Sequence, residues 1–205
     1  MATRRRAPTP HPDQLWLDGM EPPAWKDALF FALFPDEATA QRIAGLAQDQ
    51  RAAHGFPGKA LATARLHVTL HFLGESVGLP GDLHARAASA GARVQAAPFP
   101  VVFDQVLSFK GREGHQPRVL CADGGNAALQ DFRRQLGDAL QASGFTVDPG
   151  YEPHVTLLYD KEAECNAVEP IAWEVRQFAL VHSLRGLGQY KVLECWTLDG
   201  GAERQ

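Results

Sequence analysis

Seven segments of the chain carry the apolar runs or the apolar–polar alternation that is typical of β-strands. β-branched and aromatic residues are frequent in them, and glycine or proline residues bound several of them. The predicted strands are residues 28–34, 65–73, 99–109, 118–122, 153–159, 173–183 and 190–198. Residues 160–170 are acidic and show no regular apolar–polar pattern, so they are predicted to form an irregular segment.

Three further segments have apolar residues at helical spacing. The first helix is predicted to begin at residues 35–37, where a proline and two acidic residues suit a first turn, and to end before Gly55. The others are predicted over residues 81–97 and 126–143, the latter with a clear amphipathic stripe. Strands and helices in this order predict an α+β fold, with helices packed on antiparallel sheets.

The first 25 residues differ in character from the rest of the chain. They contain five prolines and the arginine run Arg4–Arg6, with little apolar periodicity. We therefore expect residues 1–25 to be an extended, mobile tail and residues 26–205 to form a single domain.

Composition narrows the classes of function. The net charge is −4, which argues against binding a long nucleic acid by bulk electrostatics but permits a small phosphate ligand or one RNA end. The three cysteines are far apart and suggest neither a zinc site nor a disulfide framework. No apolar stretch is long enough to span a bilayer and no secretory signal is recognisable, so a cytoplasmic location is expected.

The tetrapeptide His-Val-Thr-Leu occurs twice, at His67–Leu70 and at His154–Leu157, and the two histidines are 154 − 67 = 87 residues apart. Strand alternation is predicted to place His67, Thr69 and His71 on one face and Leu66, Val68, Leu70 and Phe72 on the other. His154 and Thr156 are predicted to share a face in the same way. The exact recurrence favours a functional role over two unrelated polar faces.

A pair of such motifs suits metal-free cleavage of a phosphodiester. One histidine can take a proton from water while the other gives a proton to the departing oxygen, because imidazole titrates near neutral pH. Threonine hydroxyls can stabilise charge on the non-bridging oxygens. Zinc binding by His67 and His71 is less well supported, because residues four apart in a strand lie about 13 Å from each other.

With its flanks, the doubled motif resembles the 2H phosphoesterase superfamily, and in particular the LigT-like RNA 2′,3′-cyclic phosphodiesterases, formerly called 2′-5′ RNA ligases. The resemblance covers residues 28–198. It rests on the opening strand at 29–35, the two motifs at 66–75 and 152–157, the middle strand at 118–120 and the closing strand around Tyr190–Leu193.

The resemblance implies a bilobal fold of two antiparallel sheets with flanking helices, related by pseudo-two-fold symmetry around a central cleft. It implies hydrolysis of an RNA-terminal 2′,3′-cyclic phosphate to a 2′-phosphate, without metal or cofactor. His67, Thr69, His154 and Thr156 match the catalytic positions, with His154 as proton acceptor from water and His67 as proton donor. The partners expected are RNA 3′ ends or cyclic nucleotides, and the protein is expected to be a monomer.

One position departs from the family pattern. Three residues after the second threonine the family often has arginine, whereas this chain has Tyr159, which can stack on a base or donate a hydrogen bond but carries no charge. Arg65 and Arg118 are candidates to supply the missing cation, as are Lys110 and Arg112. Substrate contacts are accordingly expected at Tyr159, Arg65 and Arg118.

Two other functions remain open at the level of sequence. The same four side chains could cleave or form a 2′-5′ phosphodiester, because both reactions place a 2′-oxygen on phosphorus. Alternatively, the domain could bind RNA or nucleotides without turnover. The intact motifs argue against this last alternative.

Overall fold

The computed structural model describes residues 26–200, so the predicted tail lies outside the described residues. This range contains three α-helices, α1 Glu37–His54, α2 Gly81–Ala92 and α3 Ala127–Gln141, and a single turn of 3-10 helix at Thr63–Arg65. Its eight strands are β1 Asp27–Leu33, β2 Val68–Ser76, β3 Phe99–Ser108, β4 Gln116–Cys121, β5 Val155–Asp160, β6 Asn166–Val175, β7 Gln177–Leu184 and β8 Gln189–Thr197. Over these residues, none of the helices has the length and apolarity needed to cross a membrane.

Local sequence signals account for the ends of α1. The Asp36 side chain accepts a hydrogen bond from the Thr39 amide at 2.8 Å, which satisfies one of the free amides of the first turn. At the other end Gly55 adopts φ 61°, a left-handed conformation that glycine tolerates best. All three predicted helices are confirmed, although α2 ends at Ala92 rather than at residue 97.

The strands form one antiparallel sheet in the order β6-β3-β4-β5-β2-β1-β7-β8, rather than the two sheets we predicted. Its two four-stranded halves meet between β5 and β2, where Val68 and Val155 are the one pair of partner residues in the described part of the chain. The mixed α/β fold with an antiparallel sheet is thus confirmed, whereas the pseudo-two-fold symmetry stays a prediction.

The predicted strand over residues 173–183 is divided in the structure. Strand β6 begins at Asn166, inside the stretch predicted to be irregular, and Arg176 separates it from β7. β6 pairs with β3 in one half of the sheet, and β7 pairs with β1 in the other. β6 lies at the sheet edge and its first half is largely exposed, which explains why it lacks a strong apolar alternation.

Apolar side chains lie on both faces of the sheet. The large core involves all three helices and includes Phe31 and Leu70. On the opposite face a small cluster holds Ala28, Phe30, Ala32, Ala179 and Val181, with Phe34 and Tyr190 packed against it. His67 contacts this second cluster, so the site described next lies on the face of the sheet that the helices leave open.

Candidate active site

The two motif histidines occupy the same position relative to their strands. Each lies one residue before the strand begins, at Val68 or Val155, which corrects the predicted starts at residues 65 and 153. His67 Nδ1 is 2.7 Å from the Arg65 carbonyl oxygen, and His154 Nδ1 is 2.7 Å from the Glu152 carbonyl oxygen. Both imidazoles are thus held by the backbone two residues upstream.

These contacts fix the tautomer of each ring. A carbonyl oxygen only accepts, so Nδ1 of each histidine carries the proton and donates it. Among the residues described, neither Nε2 atom has a hydrogen-bond partner. Each neutral ring therefore presents an unshared electron pair at Nε2, which is the arrangement that a general base requires.

The register between the two motif strands brings all four side chains together. Antiparallel pairing of Val68 with Val155 directs His67 toward Thr156, and Thr69 toward His154. All four side chains are half-buried. The two rings are close enough that a positive charge on His154 disfavours protonation of His67.

Aromatic rings surround His67. Its ring centroid is 5.1 Å from that of Phe30, 6.1 Å from that of Phe34 and 5.2 Å from that of Tyr190, the last edge-on. Burial among these rings disfavours the charged imidazolium and lowers the pKa of His67 to about 4, although the bond to the Arg65 carbonyl opposes this shift. His67 is therefore neutral at pH 7 in the free protein.

His154 lies between Phe109, at 4.7 Å between ring centroids, and Tyr151, at 5.3 Å. Burial again lowers the pKa of His154, while the bond to the Glu152 carbonyl and the negative charge of the Glu152 side chain act in the opposite direction. Burial raises the pKa of the Tyr151 phenol, and the nearby side chain of Thr69 acts in the opposite direction. Sequence reasoning missed Tyr151, whose one signal is its place three residues before a motif histidine.

A β-bulge changes which residues of the first motif strand face the site. Opposite Phe31 and Ala32 of β1 stand His71 and Thr69, so Leu70 is the extra residue. The predicted face of His71 was therefore wrong: it is buried on the helix side, where its Nε2 donates to the Arg133 carbonyl at 2.8 Å. Phe72 pairs with Phe30 and is 47% exposed, so it shares the face of the site.

The second motif strand has the same bulge. Arg118 and Val119 of β4 stand opposite Leu158 and Thr156, so Leu157 is the extra residue. Tyr159 thereby reaches the face of Thr156 and is exposed, with its ring stacked on His115 at 4.6 Å between centroids. Phe72 and Tyr159 thus occupy equivalent positions, each three residues after the threonine of its motif.

Of the two arginines predicted to bind substrate, Arg65 lies at the site. It directly precedes the first motif, and its guanidinium carbon is 5.0 Å from the centroid of Tyr190, whose ring edge contacts His67. Among the residues described, its buried Nε has no hydrogen-bond partner. Because Arg65 and His67 contact the same tyrosine ring, the positive charge of Arg65 lies next to His67.

Arg118 lies elsewhere. The residue is 1% exposed. Its guanidinium donates to the Gln50 side chain of α1, the Asn166 side chain and the carbonyl oxygens of Ala163 and Glu164. Every guanidinium nitrogen is thus used inside the protein. This burial argues against the predicted substrate contact and assigns Arg118 a structural role.

The sequence model of the 2′-5′ RNA ligase superfamily matches residues 34–187, which is more than half of the chain. The chain belongs to this superfamily.

Among curated proteins no sequence relative matches. Among solved structures, E. coli LigT in apo form is 27% identical with a TM-score of 0.61, and the match covers 85% of this chain and 98% of that one. TT0787 of Thermus thermophilus is 26% identical with a TM-score of 0.64, and the match covers 84% of this chain and 98% of that one.

A third structure, E. coli LigT complexed with 3′-AMP, is 26% identical with a TM-score of 0.59, and the match covers 85% of this chain and 98% of that one. The protein is thus a LigT-like 2H phosphoesterase of the 2′-5′ RNA ligase superfamily, a class that acts on phosphodiester bonds. The matched span contains both histidine–threonine motifs.

Proposed function

We propose that this 2′-5′ RNA ligase superfamily member hydrolyses the 2′,3′-cyclic phosphate at an RNA end to a 2′-phosphomonoester. The observation that supports it most directly is the matched pair of histidines. Each has Nδ1 fixed by a backbone carbonyl at 2.7 Å and an Nε2 without a hydrogen-bond partner in the described part of the chain, and each faces the threonine of the other motif. Two proton-transfer groups across one phosphate can catalyse this reaction without a metal.

In the proposed reaction, His154 Nε2 takes a proton from water as the water oxygen bonds to phosphorus. The bond between phosphorus and the 3′-oxygen breaks, and a protonated His67 gives the Nε2 proton to that oxygen. Thr69 and Thr156 donate to the non-bridging oxygens and stabilise their developing charge.

The low pKa of His67 sets a condition on this division of roles. A neutral His67 cannot act as a proton donor, so it must gain a proton when the anionic substrate binds. The negative phosphate supplies the reason, because an adjacent opposite charge favours the imidazolium form. Arg65, which also lies beside His67, then serves to neutralise phosphate charge rather than to stabilise the imidazolium.

The relatives support a nucleotide substrate. E. coli LigT is known in complexes with 3′-AMP and with phosphate, which contain a phosphate group and, in 3′-AMP, the adenosine to which it is attached. In this chain the exposed ring of Tyr159 stands beyond Thr156, at the end of the site where His67 lies. We propose that Tyr159 stacks on the base of the nucleotide that carries the cyclic phosphate.

The test is hydrolysis of 2′,3′-cyclic AMP and of an RNA with a cyclic-phosphate end, with identification of the product isomer. We expect 2′-AMP from the wild-type protein, and a loss of at least about 100-fold in kcat for His67→Ala and for His154→Ala, because general acid–base groups contribute that much. His71→Gln is the matched control, since His71 lies on β2, four residues after His67, but faces the helices.

Full activity in either motif variant would refute the mechanism. Binding of 2′,3′-cyclic AMP with no product after long incubation would instead identify a non-catalytic nucleotide-binding domain. A 3′-phosphate product would refute the proposed direction of ring opening.

A further inference from the structure

The segment before the second motif carries a tyrosine hydroxyl that has no counterpart before the first motif. Tyr151 lies three residues before His154, whereas the residue three before His67 is Ala64, which has no polar side chain. The Tyr151 ring is half-buried and packs against His154 at 5.3 Å between ring centroids. The two histidines therefore differ in the chemistry of this neighbouring position.

The phenol of Tyr151 lies close to the threonine of the other motif. Antiparallel pairing directs Thr69 toward His154, and the Tyr151 ring packs against that same histidine. Burial raises the pKa of the Tyr151 phenol, and the nearby Thr69 side chain opposes this shift, as a hydroxyl within hydrogen-bonding reach does. The phenol therefore keeps its proton at neutral pH and can donate it.

Arg133 of α3 keeps the phenol and Thr69 in a fixed relation. Its guanidinium carbon is 5.4 Å from the Tyr151 ring centroid, within the range of a cation–π contact. Its Nε donates to the carbonyl of Leu70, the residue after Thr69, at 3.2 Å. Arg133 is itself buried. One buried side chain thus contacts both the ring of Tyr151 and the strand that carries Thr69.

The direction of the hydrogen bonds follows from the chemistry of the phosphate. In the proposed reaction Thr69 donates its proton to a non-bridging oxygen, which can only accept. The Thr69 oxygen then still has capacity to accept a hydrogen bond, and the protonated phenol can donate to it. A hydroxyl that accepts one hydrogen bond becomes a stronger donor in the next, because the two bonds polarise each other.

We infer that Tyr151 is a positioning residue whose hydroxyl donates to the Thr69 oxygen and directs the Thr69 proton at the phosphate. The inference rests on the proposed function, because it needs a phosphate held between the two motifs. It makes the two threonines unequal: a phenol orients Thr69, whereas Ala64 offers Thr156 no such group at the equivalent position. The two non-bridging oxygens of the substrate accordingly meet donors of different strength.

The first experiment is a double-mutant cycle on 2′,3′-cyclic AMP. Tyr151→Phe removes the hydroxyl but keeps the ring that packs on His154. We expect kcat to fall about 3- to 10-fold, the range for one neutral hydrogen bond, with KM within about twofold of wild type. In a Thr69→Val background the same change should cost less than about twofold, because the acceptor is already gone. Thr156→Val is the matched background, in which the full loss should remain.

The second experiment uses the two diastereomers of adenosine 2′,3′-cyclic phosphorothioate, in which sulfur replaces one or the other non-bridging oxygen. Sulfur accepts hydrogen bonds weakly, so the removal of a donor costs less when sulfur faces that donor. Thr69→Val and Thr156→Val should therefore have their larger losses on opposite diastereomers. Tyr151→Phe should lose activity mainly on the diastereomer that is sensitive to Thr69→Val, which a packing role of the ring would not produce.

Three outcomes would overturn the inference while leaving the cyclic phosphodiesterase intact: no loss of kcat in Tyr151→Phe, a loss that is additive with that of Thr69→Val, or equal losses on both diastereomers. Thermal unfolding of Tyr151→Phe and Tyr151→Ala checks the fold, since only the alanine variant removes the ring that contacts Arg133. Absence of turnover of 2′,3′-cyclic AMP by the wild-type protein would contradict the proposed function itself.

Discussion

At the scale of single residues, hydrogen bonding and burial set the protonation state of each motif histidine. Both motif rings donate through Nδ1 to a backbone carbonyl, and aromatic neighbours pack against both. The carbonyl bond favours the protonated ring, but burial has the larger effect, so the pKa of each histidine is lowered. The free protein therefore holds both histidines as neutral bases at neutral pH.

This state predicts an acidic pH optimum for kcat/KM, which reports the groups of the free enzyme. Activity needs one histidine protonated and the other neutral, so it falls below the lower pKa and above the higher one. Because both pKa values lie below 6.5, we expect the maximum of kcat/KM on 2′,3′-cyclic AMP below pH 6.5. A pH series of initial rates measures it, and a maximum at pH 7 or above would contradict the burial argument.

Glu152→Gln is the matched variant for this pH series. It removes the carboxylate that raises the pKa of His154 but keeps the backbone carbonyl that holds Nδ1. We expect the pH at which kcat/KM changes because of His154 to move to a lower value. The pH at which kcat/KM changes because of His67 should stay the same.

At the scale of elements, close approach between a helix and a strand explains a glycine that helix propensity alone disfavours. Gly91 lies in α2, and a Cβ atom there would be 2.7 Å from Cη2 of Trp196 on β8. Trp196 is itself stacked on Phe178 at 5.0 Å between ring centroids and lies 5.7 Å from Phe31, so its indole has little room to move. The glycine thus lets α2 pack directly on the indole.

We predict that Gly91→Ala lowers the free energy of unfolding by about 1–2 kcal/mol, because overpacking outweighs the gain in helix propensity. Gly45→Ala in α1 is the control: no atom lies within 4 Å of its Cβ position, so stability should rise by up to about 1 kcal/mol. Urea unfolding of both variants measures the difference. A stabilised Gly91→Ala protein would show that the contact with Trp196 is not tight.

At the scale of the whole molecule, one buried arginine ties together segments that are distant in sequence. Arg118 on β4 is bonded to Gln50 of α1, to the Asn166 side chain at the start of β6 and to the loop that precedes it. Arg65, the other arginine predicted to bind substrate, lies beside His67 instead. The two side chains have the same chemistry, and their positions in the fold give them different roles.

We predict that Arg118→Met lowers the free energy of unfolding by about 2–4 kcal/mol, because it leaves buried carbonyl and amide groups without partners. Its kcat/KM, measured well below the unfolding temperature, should stay within about twofold of wild type. Arg65→Met should show the reverse: a loss of about 10- to 100-fold in kcat/KM with little change in stability. Equal losses of activity in the two variants would restore Arg118 as a substrate ligand.

The helices, most strands and the four residues of the doubled motif could be predicted from the sequence alone, because they depend on local periodicity and on an exact repeat. It also carried the family resemblance, through the motifs and their flanks. What it could not show was how strands pair. Pairing decided that one sheet forms, that β6 and β7 are separate strands and that the halves meet at Val68 and Val155.

Only the tertiary structure located the bulges at Leu70 and Leu157, since a bulge is a mismatch between partner strands and leaves no period in either sequence. Those bulges turned His71 toward the helices and Phe72 toward the site. Tertiary contacts also buried Arg118 and brought Tyr151 to Thr69. The motif residues could be recognised from the sequence because each motif is a short local pattern, whereas the surroundings of the candidate site come from segments that meet only when the chain folds.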